Sequence, residues 1–344
     1  MNGDPIRVGV VGYGLAGAVF HAPLIRSCER MKLAAVFTSR DAPNRVDTLD
    51  QLIDRSDLVV VASPNSSHHA VAKRALETGL HVVIDKPFTV TTDEADELIR
   101  IANERKLLLS IFHNRRWDSD FLTVRDLLPR LDEILLFEAH WDRFRPQIKQ
   151  GWRELPEAGS GLWNDLGPHM VDQALQLFGM ADAVEADILA QRAEALVDDY
   201  FDVTLHYGRR RVRLRSSSLV AAPRPRFAVH GSGASFVKYG LDPQESQLKA
   251  GMDPGQPAFG IDASHGMLTF ADGTQESVAT RRGNYVAFYA GVASAILDGG
   301  PVPVRAEDAR AGLELISLAR RASELGQRLP VPAASSTEAS MPAR

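Results

Sequence analysis

The sequence predicts an α/β fold in two parts: a doubly wound parallel sheet, then an α+β unit built on a large, mainly antiparallel open sheet. Three observations predict it. Up to Trp117, short apolar runs with the density of buried strands alternate with helical stretches. From Glu133 onward, strand-like runs follow one another directly, and such a switch implies a second, α+β unit. The first strand also runs into Gly12, Gly14 and Gly17 in G-x-G-x-x-G spacing with an Ala/Leu/Phe-rich helical stretch behind it. That strand, turn and helix context is the one in which such glycines make a Rossmann dinucleotide site. The expected units are a Rossmann NAD(P)-binding domain over 1–117, an α+β domain over 118–329, and a disordered tail over 330–344, rich in Pro, Ala and Ser.

Composition narrows the function. The 344 residues, 44% of them apolar, can bury a large core, and the length favours two domains. A net charge of -5 argues against a nucleic-acid or anionic-membrane partner. The one basic cluster, Arg209, Arg210, Arg211, Arg213 and Arg215, alternates with Val212 and Leu214, which reads as a strand with one wet face. Cys28 stands alone, so no internal disulfide forms and nothing indicates an oxidising compartment. No run is long enough to span a bilayer, and M-N-G-D-P leads straight into the first strand. The cytoplasm is the expected compartment.

Taken in order, Ile6 to Val11 is the first strand. Gly12 makes the turn, Gly14 lets the backbone approach a pyrophosphate, and Gly17 lets helix and strand pack closely, with Tyr13, Leu15 and Ala16 completing the phosphate turn. Leu33 to Thr38 is the second strand and ends in Thr38-Ser39-Arg40. An NAD site normally places a carboxylate here for the ribose 2′-hydroxyl, whereas a cation and hydroxyls suit a 2′-phosphate, so NADP is favoured. Adjacent Asp41 keeps NAD open as the alternative.

Only Asp41 to Arg45 separate Arg40 from Val46, too few for a crossover helix, which needs at least about ten to twelve residues. The usual second helix and third strand cannot both fit, and loss of that edge strand would shorten the sheet without breaking it. Thr48 to Arg55 then reads as a short helix and Leu58 to Ala62 as a buried strand stopping at Ser63-Pro64-Asn65. Ser66 is a plausible N-cap for a helix through Thr78, closed by Gly79. His81 to Ile84 is a strand ending in Asp85-Lys86-Pro87, Thr92 to Arg105 a helix, and Leu107 to Phe112 the last parallel strand. A lysine at a strand end is usually a solvated charge, but Lys86 emerges at the crevice the glycine turn defines.

The second unit reads as strands Glu133 to Trp141, Ala183 to Arg192, Asp199 to Tyr207, Arg210 to Val220, Arg226 to His230 and Ala234 to Tyr239. Pro168 is acceptable only near a helix start, so a helix is expected from around Gly167 to just before Gly179. His169 and Asp172 then share a face with Asp165 just ahead. Asp165, His169 and Asp172 could be imagined around a metal, but no Cys/His spacing supports a closed site, and none is expected. Tyr285 to Leu297 and Glu307 to Leu325 are amphipathic helices.

The glycine turn with Phe20-His21-Ala22-Pro23, the Asp85-Lys86-Pro87-Phe88 strand end, the run F-H-N-R-R-W-D-S-D-F-L-T from Phe112, and the Asp165/His169 segment resemble the Gfo/Idh/MocA oxidoreductases. Within that family the likeness is greatest to the NADP-dependent scyllo-inositol dehydrogenase group. It extends to Tyr239-Gly240-Leu241-Asp242-Pro243-Gln244-Glu245 and Gly283-Asn284-Tyr285. Asp85 stands where the family more often has glutamate. The resemblance implies hydride transfer between NAD(P) and a secondary alcohol or ketone of a cyclitol or sugar, with Lys86, Asp165 and His169 as the catalytic set. It places Ser63, Pro64, Asn65, His68, Asp85, Lys86 and Asn114 beside the cofactor. Asn114, Trp152, Arg153 and Tyr285 join the catalytic residues on the substrate side. Likeness to the family further implies a homo-oligomer, dimer or tetramer, paired through an apolar open sheet face that needs burial.

The chemistry fits those residue types. An imidazole titrates near neutrality and can exchange the hydroxyl proton, which suits His169; a fixed cation at Lys86 favours a developing alkoxide; Asp165 orients the substrate or His169. A non-catalytic dinucleotide-sensing regulator on the same fold is the competing reading, since fold does not fix function. With the segment after Arg40 shortened, the adenine end is less enclosed, and dissociation constants for both dinucleotides are expected above the submicromolar range; fluorescence titration with each checks this.

Overall fold

The structure, a computed structural model, describes residues 4–148, 151, 154–156, 159–222 and 224–332. Its first sheet contains β1 (Ile6–Val11), β2 (Met31–Phe37), β3 (Arg45–Val46), β4 (Leu58–Val61), β5 (His81–Asp85) and β6 (Leu109–Phe112). The order is β3-β2-β1-β4-β5-β6, all parallel. Val8, Val10, Val59, Val60, Val83, Ile84 and Ile111 are fully buried, as expected for strands covered on both faces. The expected loss after Arg40 is corrected in part. The crossover helix is gone, but the third strand survives as two residues paired to Val36 and Phe37. The chain reverses at Asn44, which adopts a left-handed φ of 53° and ties its side-chain amide to Leu33 O at 2.8 Å. Asparagine tolerates this conformation better than most residues.

Helices α1 (Ala22–Arg26), α2 (Leu49–Ile53), α3 (His68–Glu77) and α4 (Thr92–Arg105) flank this sheet. Before α1, residues Ala16–His21 form a wider coil, in which Ala22 N–H reaches Gly17 O. Thr48 Oγ1 caps α2, and a reciprocal Thr91/Glu94 box caps α4. The expected cap at Ser66 is corrected: a tight turn over Asn65–Ser67 comes first and α3 begins at His68. Ser67 instead donates to Pro64 O at 2.7 Å.

Among the described residues the second sheet has nine strands, adding β7 (Ile134–His140), β8 (Ala183–Leu189), β9 (Tyr200–Tyr207), β10 (Arg210–Ser217), β11 (Phe227–Gly231), β12 (Ala234–Lys238), β13 (Gly266–Phe270), β14 (Gln275–Val278) and β15 (Leu329–Pro330). Its order is β14-β13-β12-β11-β7-β10-β9-β8-β15, antiparallel except for β7 with β10. Three strands, β13, β14 and β15, carry too little patterning to be read in advance. Pro330, expected in the tail, pairs with Ala183 instead; the rest of the tail beyond 332 lies outside the described residues.

Helices α5 (Ser119–Leu127), α6 (Leu162–Phe178), α7 (Gln244–Lys249), α8 (Val286–Asp298) and α9 (Ala306–Leu325) complete the fold. Trp163, Val171 and Leu315 from α6 and α9 join Phe137, Phe201, Phe227 and Phe236 in the second core. The opposite sheet face is charged, not apolar as expected. Arg215 there is held by Asp202 at 2.8 Å and Glu138 at 3.3 Å, beside Arg211, Arg213 and Asp187.

The expected start of the helix at Gly167 is also corrected. Helix α6 begins at Leu162 and keeps Pro168 inside it, forfeiting one i→i−4 hydrogen bond. Its first turn is capped from a distance: Asp198 accepts from Leu162 N and Trp163 N, 2.8 and 2.6 Å away.

Late in the chain, α8 packs on the first core, not the second. Phe288, Tyr289 and Val292 are fully buried there, and Phe288 meets Phe112 edge-on at 5.0 Å. The two lobes are also joined by charge, since Arg116 binds Asp172 of α6 with two nitrogens, at 2.6 and 2.9 Å, in a buried pair. Without Asp172, Arg116 keeps only the more distant Asp308, at 3.7 Å. Asp172→Ala is expected to cost about 3–5 kcal/mol of stability, read from the urea midpoint; a loss below about 1 kcal/mol, as for an exposed pair, would contradict a junction role.

Candidate active site

The ends of β5 and β6 and the first two turns of α6 meet in a cavity of about 320 Å³ between the lobes, lined by Asp85, Lys86, Asn114, Asp165 and His169. Lys86 leaves β5 just before a cis peptide bond to Pro87. Its ammonium donates to Asp165 O at 2.7 Å and lies 3.3 Å from Asp165 Oδ1. His169, one turn further along α6, lines the same cavity. Its Nδ1 is buried without a hydrogen-bond partner among the described residues. Burial, reinforced by Lys86 and Arg115, holds its pKa well below the ordinary histidine value. The ring is therefore neutral at physiological pH and able to accept a proton.

The glycine turn has the shape a dinucleotide requires. Gly12 has φ +92°, and a Cβ there would lie 2.5 Å from Ala62 O; a Cβ on Gly17 would lie 2.1 Å from Gly12 O. A Cβ on Gly14 would meet nothing within 4 Å, so open space lies where a pyrophosphate would approach. Leu15 and Ala16 line the cavity, while Tyr13 is partly buried against the first core. Thr38, Ser39 and Arg40 sit at the carboxyl end of β2, with Ser39 and Arg40 exposed and Arg40 N donating to Thr38 Oγ1 at 3.2 Å. At the end of β4, Ser63 Oγ lies 2.6 Å from Ser67 Oγ. Asn65 opens with Pro87 onto a neighbouring groove also lined by Asn164 and Pro168. Buried His68 has its two ring nitrogens 2.9 Å from Ser63 O and Pro87 O. Carbonyl oxygens only accept, so making both bonds takes a ring protonated on both nitrogens.

Asp85 accepts from Lys86 N at 2.9 Å and lies 3.8 Å from buried His21 Nε2. His21 Nδ1 is in turn 2.7 Å from Tyr289 OH. Despite burial, Asp85 is held below the usual aspartate range by His21 and Lys86.

One sequence-based expectation changes. Tyr285 is fully buried and does not line the cavity: its hydroxyl donates to Asp118 Oδ1 at 2.7 Å and accepts from Arg115 at 3.2 Å. Asp165, given the task of orienting substrate or His169, contacts Lys86 and has Arg143 at 3.6 Å. Trp152 and Arg153 lie outside the described residues. The structure adds Arg115, Arg143, Arg145, Glu245 and Lys249 to the cavity wall. Arg115 and Glu245 stand inside sequence runs already singled out, whereas no sequence signal pointed to Arg143, Arg145 or Lys249.

Residues 6–113 match the description "Oxidoreductase family, NAD-binding Rossmann fold", and residues 127–332 match "Oxidoreductase family, C-terminal alpha/beta domain", the two halves of Gfo/Idh/MocA. The chain belongs to the Gfo/Idh/MocA oxidoreductases, NAD(P)-binding enzymes with this two-lobed architecture. It is 45% identical to the uncharacterized oxidoreductase YdgJ of Escherichia coli (strain K12), covering 92% of this chain and 95% of that one. It is 38% identical to the scyllo-inositol 2-dehydrogenase (NADP(+)) IolW of Bacillus subtilis (strain 168), over 93% and 94% of the two chains. The solved structure of YPO2259 from Yersinia pestis superposes with a TM-score of 0.92 at 43% identity, over 96% of this chain and 98% of that one.

The depressed His169 pKa has a thermodynamic signature. As pH falls below 6.5, the unfolded chain takes up a proton at this residue that the folded state refuses, so stability falls, by up to about 1.4 kcal/mol per pH unit. His169→Gln removes that component. Denaturation midpoints of both proteins from pH 7 to 5 check it, the variant losing less.

Proposed function

We propose that the chain catalyses reversible hydride transfer between NADP and a secondary alcohol or ketone of a cyclitol or sugar. The observation that carries this reading is the convergence of the Lys86 ammonium and the neutral His169 ring on one interlobe cavity. The nicotinamide, when bound, supplies the hydride acceptor or donor. In the oxidation direction, His169 takes the hydroxyl proton while Lys86 donates to the same oxygen and favours the charge that develops there. Asp165 holds Lys86 at the cavity wall, so the ammonium meets the substrate already oriented. In reduction, His169 returns the proton.

Ser39 and Arg40 at the end of β2 support NADP over NAD. The cyclitol assignment draws on the similarity to IolW, whose name gives it both scyllo-inositol and NADP(+). The same reading takes the chain as a cytoplasmic homo-oligomer, dimer or tetramer.

A spectrophotometric screen of inositols and aldoses with NADP and NAD in parallel tests the activity; no turnover of any polyol would overturn it. For the substrate found, Lys86→Ala is expected to lower turnover on the order of a hundredfold or more, with the circular dichroism spectrum unchanged. Arg40→Ala is expected to raise the KM for NADP while leaving that for NAD near its starting value.

A further inference from the structure

The wall of the catalytic cavity carries more positive than negative charge. Among the described residues, five cations line it, Lys86, Arg115, Arg143, Arg145 and Lys249, against three carboxylates, Asp85, Asp165 and Glu245. Each carboxylate is already engaged. Asp85 faces His21, Asp165 is shared between Lys86 and Arg143, and Glu245 is shared between Arg115 and Lys249. His169 adds no charge, being neutral.

The surplus falls on two arginines. The Arg143 side chain is 26% exposed, and its nearest carboxylate oxygen, on Asp165, is 3.6 Å away, beyond good hydrogen-bond distance. Burial, with Arg145 and Arg115 nearby, pulls its pKa below the ordinary arginine value, and the distant Asp165 does not offset this. Arg145 lines the same cavity and makes no ion pair among the described residues.

Their spacing is set by the backbone. Beyond β7 the chain continues beside β10, with Arg143 N bonded to Ser217 O and Arg145 N to Ser218 O, at 3.0 and 2.7 Å. In extended chain, residues two apart face the same side, and these two both reach the cavity. The residues beside them are engaged elsewhere: Asp142 binds Arg224, and Phe144 is exposed. Two adjacent guanidinium groups short of counter-charge, facing a space open to a ligand, form a receptor for an oxyanion, which they can bind through paired N–H donors.

We propose that the alcohol processed here belongs to a polyhydroxylated molecule that also carries an oxyanion, a carboxylate or a phosphate, and that Arg143 and Arg145 grip that group. This rests on the reading of Lys86 and His169 given above and sharpens its substrate class from a neutral polyol to an acidic one. The anion fixes which carbon faces Lys86, so these two arginines are specificity residues and take no part in proton transfer.

The test compares matched substrates with NADP: glucose against glucuronate and glucose 6-phosphate, and myo-inositol against inositol 1-phosphate. At least one anionic compound is expected to exceed its neutral parent in kcat/KM by about a hundredfold. The two anion types distinguish a carboxylate from a phosphate. Arg145→Gln is expected to collapse that preference at least about tenfold through KM, with kcat little changed, and Arg145→Lys to restore part of it. A merely structural role would lower kcat for charged and neutral substrates together. Neutral polyols turned over better than every anionic counterpart would overturn this inference alone. No turnover of any compound would overturn the hydride-transfer reading as well.

Discussion

One face of helix α6 is fastened to the first lobe, and the candidate site depends on that attachment. Asp165 meets the lysine at the end of β5, Asp172 takes Arg116 in a two-nitrogen grip, and Gln173 donates to Arg115 O at 3.0 Å. These positions recur at close to one-turn spacing, so a single helix face carries both the fastening and His169, the residue proposed above to accept the proton. The lysine and the imidazole belong to different lobes, and only a rigid seam can keep them facing one volume.

That seam consists largely of buried charge. The run from His113 to Asp120, which first stood out as a family signature, is spent mostly on it. Arg115 reaches Tyr285, Asp118 and Glu245, and Asp120 lies 3.6 Å from Arg226, whose other nitrogen donates to Gln173. Burial pushes the carboxyls of Asp118 and Asp120 up, and that of Asp242 to about 6. Charges taken this far from water are held only where partners compensate them. A junction built this way resists being repacked in another register more than a greasy one would.

The fold was legible wherever its signals are local. The range Thr92 to Arg105 was readable because its capping residues flank it, and β1 with its glycine turn because strand, turn and helix are contiguous. The start of α6 was not, because its cap comes from Asp198, 35 residues away, and the proline that suggested a later start is tolerated inside the helix. Strand β14 lies at the sheet edge with most of its side chains exposed, so burial imposed no alternating pattern on it, and in β13 the burial falls mainly on Gly266 and Leu268, too few positions to read as a strand. Lys86, Asp165 and His169 could be found from short motifs. Arg143 and Arg145 could not, since an arginine in an extended segment looks the same whether it faces solvent or a cavity. Tyr285 misled for the opposite reason: a tyrosine near site residues is equally at home in the core.

The uncovered face of the second sheet, with its interleaved arginines and acids, has a consequence for how this molecule meets others. Bare hydrophobic sheets adhere to almost any greasy surface, whereas a checkerboard of opposite signs rewards only a counterpart whose pattern is in phase with it. Association through this surface would be selective rather than sticky. It would weaken as added electrolyte screens the pattern.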